Sequence, residues 1–216
     1  MPAQNLPEER REKIPEIVNA LYREGWCVQD GFLPERLFGE LRTEAGGAWH
    51  GGSFQKAGVG RGGDYGVRPA IRGDSISWLD PGDCTPAQGL FFTELEKLQR
   101  EINRQLFLGL FDFESHFAVF TPGSFYQRHF DQFRGIGLRT VTCILYLNEA
   151  WQSTDQGALR MYHDPANPEA HVDILPEGNR LVCFLSARFE HEVLAARRER
   201  MSLTTWFRVR NPKAPF

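Results

Sequence analysis

The sequence lacks a long apolar run and an excess of basic charge. No apolar run in the 216 residues approaches the roughly 20 that a membrane-spanning helix needs. The formal net charge is −3, from 25 basic and 28 acidic residues, whereas nucleic-acid-binding proteins usually present a basic face. We therefore expect no membrane span and no nucleic-acid partner.

Cysteine is also scarce. The four cysteines, at positions 27, 84, 143 and 183, lie far apart and form no CxxC pair, which excludes a zinc ribbon and a disulfide framework. The polar stretch from Met1 to Arg11 contains no apolar signal core, so we expect a cytoplasmic protein. Hydrophobic residues make up 41% of the chain and charged residues 25%, which is typical of a globular protein.

The length favours a single domain over residues 1–216. Its first part has the apolar spacing of helices, with Pro7 suited to a first helical position. Glycine is frequent between residues 51 and 73, which indicates a long mobile loop. The expected segments are a helical support (1–50), the mobile loop region (51–73), a catalytic core (74–209) with a helix near 86–106, and a loose tail (210–216).

The residue pattern changes after His116, where short segments rich in Val, Thr, Phe, Leu and Tyr recur between turn residues. About eight short strands in about a hundred residues indicate an all-β sandwich or barrel. The predicted strands are Phe117–Thr121, Tyr126–Phe130, Arg139–Leu147, Gly157–Tyr162, His171–Leu175, Arg180–Leu185, His191–Leu194 and Met201–Val209, with an earlier one at Ser75–Leu79.

The segment Gly58–Gly63 matches the GxGxxG pattern of dinucleotide sites. Such a site needs a preceding strand and a helix that begins within the motif. The residues that follow, Asp64–Pro69, open a helix poorly, so we interpret the segment as a flexible loop.

A second pattern points to a metal. In His129-Phe130-Asp131 the imidazole and the carboxylate are two residues apart, and such positions share one face of a strand. A distal histidine would complete the two-histidine, one-carboxylate set of iron(II) oxygenases. The competing pair is His171 and Asp173, but only 18 residues separate Asp173 from His191. The 60 residues from Asp131 to His191 leave room for the strands that return over the site, so we favour His129, Asp131 and His191.

The strand after His191 carries an unusual face. Arg200, Ser202, Thr204 and Trp206 alternate on it, and a buried arginine is rare without an anion partner. Its planar fork suits a carboxylate. Tyr146, on another predicted strand, either contacts the same anion or bonds a backbone carbonyl in the core.

Several segments carry a resemblance to a known family: Tyr126–Asp131, Thr140–Asn148, His191–Val193 with Arg200, and Ile71–Leu79 with Trp206. Together they resemble the iron(II)/2-oxoglutarate-dependent dioxygenases. Within that superfamily they are most similar to bacterial prolyl hydroxylases related to the hypoxia-inducible-factor prolyl hydroxylases. The resemblance implies a mainly β fold, a double-stranded β-helix (jelly roll) with the N-terminal helices packed on one sheet.

The resemblance also implies roles for individual residues, with no catalytic side chain beyond the metal centre. His129, Asp131 and His191 would bind Fe(II), and O2 would react there. Arg200 would pair with 2-oxoglutarate, while ascorbate would serve as a reductant. Tyr146, Thr204 and Trp206 would complete the cosubstrate site, and the substrate would meet Arg72, Trp78, Tyr126 and Arg139.

One position departs from the family pattern. Close animal relatives tend to have a tyrosine before the Pro-Gly turn, where this sequence has Phe120 followed by Thr121. A hydroxyl contact to the cosubstrate or its water network is then absent at this position.

The expected function is hydroxylation of a prolyl residue in an exposed loop of a protein, by a monomeric enzyme that releases succinate and CO2. Elongation factor Tu is the first candidate substrate, by similarity to bacterial members. The alternatives are hydroxylation of a free amino acid or small metabolite, and a non-catalytic cupin-like metal-binding module. A nucleic-acid demethylase of this superfamily is disfavoured, because Trp206 replaces the second arginine of that branch.

The loop region is the reason to prefer a protein substrate. A small metabolite needs only a compact, largely pre-formed pocket. A long glycine-rich loop instead suits a peptide, because such a loop can order when it closes over an extended ligand.

Overall fold

The computed structural model describes residues 13–60, 66–132, 137–164 and 166–211. The expected helix start at Pro7, part of the 51–73 region and most of the tail lie outside these residues. No helix within the described ranges is long and apolar enough to cross a bilayer. The regular elements are helices α1 (Lys13–Arg23), α2 (Glu35–His50) and α3 (Pro86–Leu106), and strands β1 (Trp26–Gln29), β2 (Gln55–Lys56), β3 (Ser75–Leu79), β4 (Leu110–Phe120), β5 (Tyr126–His129), β6 (Arg139–Tyr146), β7 (Leu159–Tyr162), β8 (His171–Ile174), β9 (Leu181–Leu185), β10 (Glu190–Val193) and β11 (Arg200–Val209).

The strands form two antiparallel sheets. The large sheet has the order β1-β9-β6-β11-β4-β3-β2, and the small sheet has the order β5-β10-β7-β8. Strands that are distant in sequence are neighbours in both sheets, as in a jelly roll. The predicted mainly β fold with supporting helices is confirmed by this arrangement and by the solved structures described below.

The two faces of the large sheet have different partners. Alternating residues such as Val141, Leu145, Leu203 and Phe207 belong to one buried cluster with the apolar faces of the three helices. The intervening residues, such as Ile144 and Tyr146, belong to a second cluster that faces the small sheet. Because side chains alternate along a strand, one face of the sheet holds the helices and the other is left for a site between the sheets.

Helix α3 begins and ends where the sequence indicates. The hydroxyl of the N-cap Thr85 accepts a hydrogen bond from the backbone N–H of Gln88, and Pro86 occupies the first helical turn. At the other end Phe107 takes a left-handed conformation, φ 53°, and stops the helix.

Parts of the strand layout differ from the sequence-based expectation. The strand predicted at Phe117–Thr121 is the end of a longer strand, Leu110–Phe120, which pairs with β11 along its length. The HxD spacing predicts Asp131 on a strand with His129, but β5 ends at His129 and Asp131 follows in a bend. The region 51–73, predicted as loop, contains the short strand β2, which pairs with β3. These differences depend on backbone hydrogen bonds between strands that are distant in the sequence, and a local sequence pattern cannot predict such pairing.

The helical support is joined to the core by Asn179. This buried residue has φ 59°, and its side chain accepts from the backbone N–H of Leu33 at 2.9 Å and donates to the carbonyl of Leu33 at 2.8 Å. Asparagine tolerates this left-handed conformation better than most residues. One side chain thus satisfies the backbone of the segment that leads into α2.

We expect Asn179→Ala to lower the free energy of unfolding by about 2–4 kcal/mol, since it removes two buried hydrogen bonds and strains a positive φ. Asn179→Gly should cost less, because glycine keeps the conformation and loses only the hydrogen bonds. Urea unfolding of the two variants beside the wild type measures the difference. Equal stability of Asn179→Ala and the wild type would contradict this role.

Candidate metal and cosubstrate site

The two histidines of the candidate metal site are brought together by strand register. His129 on β5 is the direct cross-strand partner of His191 on β10. Their ring centroids are 4.3 Å apart. Two residues that lie opposite each other in an antiparallel pair can point their side chains at one position between the sheets.

Asp131 completes the cluster. One of its carboxylate oxygens lies 3.6 Å from Nε2 of His129, and the other lies 3.7 Å from Nε2 of His191. Two donor atoms that are each about 2.0–2.2 Å from one ion lie no more than about 4.4 Å apart, so both distances are compatible with a shared ion. Within the described residues, no other group of three histidine, cysteine or acidic side chains has this spacing.

Neighbouring groups orient all three side chains. Nδ1 of His129 lies 2.7 Å from the carbonyl oxygen of Gln127, and Nδ1 of His191 lies 3.3 Å from that of Phe189. An Nδ1–H that donates to a carbonyl leaves Nε2 as the lone pair for a metal. The hydroxyl of Thr142 donates to Asp131 at 2.8 Å, and this bond ties the bend after β5 to the large sheet.

The ionisation states also suit a cation. Burial opposes the charge of Asp131, but the two adjacent imidazoles hold the pKa of its carboxyl well below the ordinary value. Burial, together with the neighbouring His129, lowers the pKa of His191 to about 4, against the opposing attraction of Asp131. One carboxylate and an imidazole that is neutral at pH 7 are the protonation states that metal binding requires.

The competing pair lies elsewhere. Asp173, on the edge strand β8, makes two hydrogen bonds with Arg160 at 2.7 and 2.8 Å, and Nδ1 of His171 lies 2.8 Å from the carbonyl oxygen of Pro168. Neither residue lines the pocket that contains His129. The structure therefore gives this second HxD pattern an ordinary role as a surface ion pair.

Arg200 lies at the inner end of the same pocket. It is only 1% exposed, and it is the largest of the fully buried side chains among the described residues. Its guanidinium donates to the carbonyl of Gly157 at 2.8 Å and to the hydroxyl of Tyr146 at 3.4 Å, both neutral oxygens. Burial lowers the pKa of Arg200, yet an arginine stays protonated at neutral pH. A buried cation whose two hydrogen-bond acceptors are neutral is suited to bind an anion such as a carboxylate.

Phe120 is the position at which the sequence departs from the tyrosine of close animal relatives. It is the cross-strand partner of Arg200, and its ring centroid lies 5.3 Å from the guanidinium carbon. It therefore contributes an apolar wall, and Tyr146 supplies the hydroxyl on this side of the pocket. The burial of Tyr146 raises the pKa of its phenol, which keeps the hydroxyl protonated at neutral pH.

The predicted substrate residues surround the pocket mouth. Arg72 pairs with buried Asp74 at 2.6 and 2.9 Å, and its guanidinium lies 4.7 Å from the ring centroid of Tyr126. Tyr126 in turn stacks on the ring of His129 at 3.6 Å. The half-exposed Trp78 is close to the pocket residue Trp206, with ring centroids 6.2 Å apart.

Arg139 approaches the mouth from the other side. Its guanidinium lies 3.5 Å from the ring centroid of Trp206 and donates to Glu114 at 2.8 Å. Thr204 lines the pocket between Arg200 and Trp206, on the alternating face of β11 that the sequence predicted. All the residues proposed from sequence thus lie in or beside one pocket.

The pocket has an empty volume of about 450 Å³ and opens between the two sheets. Its charged lining residues are Arg72 and Arg200, which are cationic, and Asp74 and Asp131, which are anionic. These charges cancel, so a divalent cation and a dianion together would leave the site neutral. His116 also lines the pocket, and no sequence pattern points to it, because only the β3–β4–β11 pairing brings it there.

Comparison with known proteins identifies the family. Residues 115–208 match the family model described as the 2OG-Fe(II) oxygenase superfamily. Human Egl nine homolog 1 is 32% identical over an alignment of 208 positions, and the match covers 88% of this chain and 45% of that protein. The chain thus spans about half the length of the human, rat and mouse forms of this curated relative.

Two solved structures extend this likeness to the fold. A Pseudomonas putida prolyl-4-hydroxylase is 43% identical with a TM-score of 0.82, and the match covers 91% of this chain and 99% of that one. A Trichoplax adhaerens prolyl hydroxylase, in complex with a hypoxia-inducible-factor oxygen degradation domain peptide, is 26% identical with a TM-score of 0.81 and coverages of 93% and 91%. This chain belongs to the 2OG-Fe(II) oxygenase superfamily, whose members use Fe(II), 2-oxoglutarate and O2, in the group that contains these prolyl hydroxylases.

Proposed function

We propose that this enzyme hydroxylates a prolyl residue in an exposed loop of a protein and releases succinate and CO2. The observation that carries the proposal is the 43% identity with the Pseudomonas putida prolyl-4-hydroxylase over 91% of the chain. The peptide bound to the Trichoplax enzyme supports a polypeptide substrate rather than a free amino acid.

We assign His129, Asp131 and His191 as the three protein ligands of Fe(II). Their donor set and spacing fit the facial triad of non-haem iron oxygenases, which leaves neighbouring coordination positions open. When bound, Fe(II) would activate O2, the oxidant, and 2-oxoglutarate would be oxidatively decarboxylated to succinate and CO2, so that a C–H bond of the substrate is converted into an alcohol. The protein's part is to keep both imidazoles oriented through Gln127 and Phe189.

The assigned partner of the distal carboxylate of 2-oxoglutarate is Arg200. Its guanidinium is held by Gly157, so it needs little reorganisation to meet an anion, and Tyr146 can donate a second hydrogen bond. Thr204 and Trp206 form the pocket wall along the same strand. The dianion and Fe(II) together preserve the neutral charge balance of the lining side chains, which supports binding of both.

The protein substrate is assigned to the mouth of the pocket, where Arg72, Trp78, Tyr126 and Arg139 are placed to contact it. Arg72 and Arg139 are each held by an acidic neighbour, Asp74 or Glu114, so both present a fixed guanidinium edge. Donors that are already held in place lose little conformational entropy on binding, so they favour hydrogen bonds to the backbone carbonyls of an extended chain. The exposed face of Trp78 suits a prolyl ring.

We further propose that the enzyme acts as a single domain and as a monomer in the cytoplasm, with ascorbate as an external reductant. Elongation factor Tu is the first candidate substrate. The alternative enzyme, a hydroxylase of a small metabolite, is favoured only by the modest size of the pocket.

The direct test compares bacterial lysate proteins incubated with and without the enzyme, Fe(II) and 2-oxoglutarate. Mass spectrometry should find a proline that gains one oxygen atom only in the complete reaction. Succinate formed with a metabolite fraction, but not with the protein fraction, would favour the small-molecule alternative. Absence of succinate under all conditions would favour a non-catalytic metal-binding module.

His129→Ala should abolish tight Fe(II) binding, because it removes one of three protein ligands and leaves a buried carboxylate beside a single imidazole. His171→Ala is the matched control and should bind Fe(II) like the wild type. Metal content after desalting, measured by atomic emission, distinguishes the two variants. Wild-type metal content in His129→Ala would refute the assigned triad.

Arg200→Ala should weaken 2-oxoglutarate binding by about ten- to a hundredfold, since a charge-assisted pair contributes roughly 1.5–3 kcal/mol. Arg197→Ala, on the exposed turn before β11, should leave the affinity unchanged. Titration of 2-oxoglutarate into the zinc-loaded protein measures both values. An unaltered affinity in Arg200→Ala would mean that another cation holds the carboxylate.

The loop region should serve the protein substrate and not the cosubstrate. Ala57 is buried and Val59 pairs with Gly66, so a shortened variant should keep both ends and replace residues 60–65 with Asn-Gly. We expect hydroxylation of the protein substrate to fall by at least about tenfold while 2-oxoglutarate binding is retained. Loss of 2-oxoglutarate binding in the folded variant would contradict this division of roles.

A further inference from the structure

His116 is a histidine inside the pocket that none of the roles above requires. It lies on β4, is 2% exposed and lines the pocket with the metal cluster. Its ring is enclosed by the indoles of Trp78 and Trp206, with both pairs of ring centroids 4.9 Å apart. An apolar side chain would fill the same aromatic enclosure without bringing a polar atom into it.

Two nitrogen atoms in this enclosure are buried and unsatisfied. Among the described residues, two buried side-chain nitrogens have no hydrogen-bond partner: Nδ1 of His116 and Nε1 of Trp206. Trp206 also lies near Asp131 and contributes slightly to the low pKa of that carboxyl, but its N–H makes no bond of hydrogen-bond length and angle. A buried polar group without a partner is destabilising, and most native structures avoid it. That both unpaired atoms belong to adjacent rings of one pocket wall indicates a ligand that pairs with them.

The chemistry of the two rings defines the ligand atom. An indole N–H can only donate a hydrogen bond, and a neutral imidazole can donate one as well. The burial of His116 and the positive charges of Arg72 and Arg139 lower the pKa of the imidazole, so the ring is neutral at pH 7. One oxygen atom with two lone pairs can accept from both rings.

That oxygen could belong either to the substrate or to the distal carboxylate of 2-oxoglutarate, and the position of His116 distinguishes these two sources. Its cross-strand partner on β11 is Thr204, four residues from Arg200, which is about 13 Å along a strand. The charged groups that face it are Arg72, Arg139 and Asp131, at the mouth and the metal, and not Arg200. His116 therefore lies on the substrate side of the pocket and not at the end assigned to the distal carboxylate.

We propose that His116 and Trp206 form a donor pair for a backbone carbonyl oxygen of the protein substrate, beside the prolyl residue. This inference rests on the proposed function and specifies how that site recognises a polypeptide. An extended chain that lies across the exposed face of Trp78 brings its carbonyl oxygens to the adjacent enclosure. The pair thereby favours a peptide over a ligand without an amide carbonyl.

His116→Phe tests this role, because it keeps an aromatic ring in the enclosure and removes both nitrogens. His116→Asn is the conservative comparison, since an amide can donate near the position of Nδ1. The control is His163→Phe, which alters another histidine beside aromatic rings, Trp26 and Phe189, at an exposed site outside the pocket.

Three quantities are measured for each variant. The first is hydroxyproline formed from desalted bacterial lysate protein and from purified elongation factor Tu, as a function of protein concentration. The second is the affinity of the zinc-loaded protein for 2-oxoglutarate, and the third is the melting temperature of the free protein. The wild type is measured first, because a wild type that forms no hydroxyproline refutes the proposed function itself, and this inference with it.

For His116→Phe we expect the substrate concentration at half-maximal rate to rise about tenfold, the value of one hydrogen bond of ordinary strength. The 2-oxoglutarate affinity should be unchanged, and the melting temperature should be equal or higher, because an unpaired buried nitrogen is removed. His116→Asn should recover most of the substrate affinity, and His163→Phe should match the wild type.

Two results would overturn the inference. A weaker affinity for 2-oxoglutarate with normal use of protein substrate would assign the oxygen to the cosubstrate. A lower melting temperature, with a loss of hydroxylation that His116→Asn does not restore, would make His116 a structural residue of the wall.

Discussion

The antiparallel register of β5 and β10 is the constraint on which the site depends. It places His129 directly opposite His191, and the hydrogen bond from Thr142 then holds Asp131 between them from the other sheet. A shift of one residue in this pairing would turn one imidazole to the outer face of the small sheet. The pairing of β5 with β10 therefore fixes the two histidines of the metal site, while the bend after β5 positions Asp131.

The large sheet explains how one small domain can hold both a core and a polar pocket. Its outer face is sealed by three helices, and Asn179 ties the segment before α2 to the loop before β9. Its inner face can therefore carry buried charged residues, notably Arg200 and Asp131. The free-energy cost of burying these two charges is limited, because the charges that line the pocket sum to zero. In addition, Arg200 donates to the neutral oxygens of Gly157 and Tyr146, and Asp131 accepts from the hydroxyl of Thr142.

Much of this could be predicted from sequence, since the informative patterns are local. The jelly roll, the supporting helices and the bounds of α3 are confirmed, and the alternation Arg200, Ser202, Thr204, Trp206 does share one face. Other features depend on which strands are neighbours. The bend at Asp131, the short strand β2 and the placement of His116 between two indoles follow from pairing across distant segments, which no local spacing reveals.

As a prolyl hydroxylase of this superfamily, the enzyme would transfer one atom of O2 to a prolyl residue and the other to succinate. Reaction of the iron-loaded enzyme with 2-oxoglutarate and bacterial lysate protein under ¹⁸O₂ tests it most directly, with both products weighed by mass spectrometry. We expect one ¹⁸O atom in hydroxyproline for each ¹⁸O atom in succinate. Labelled succinate with no labelled proline in any protein would contradict the account.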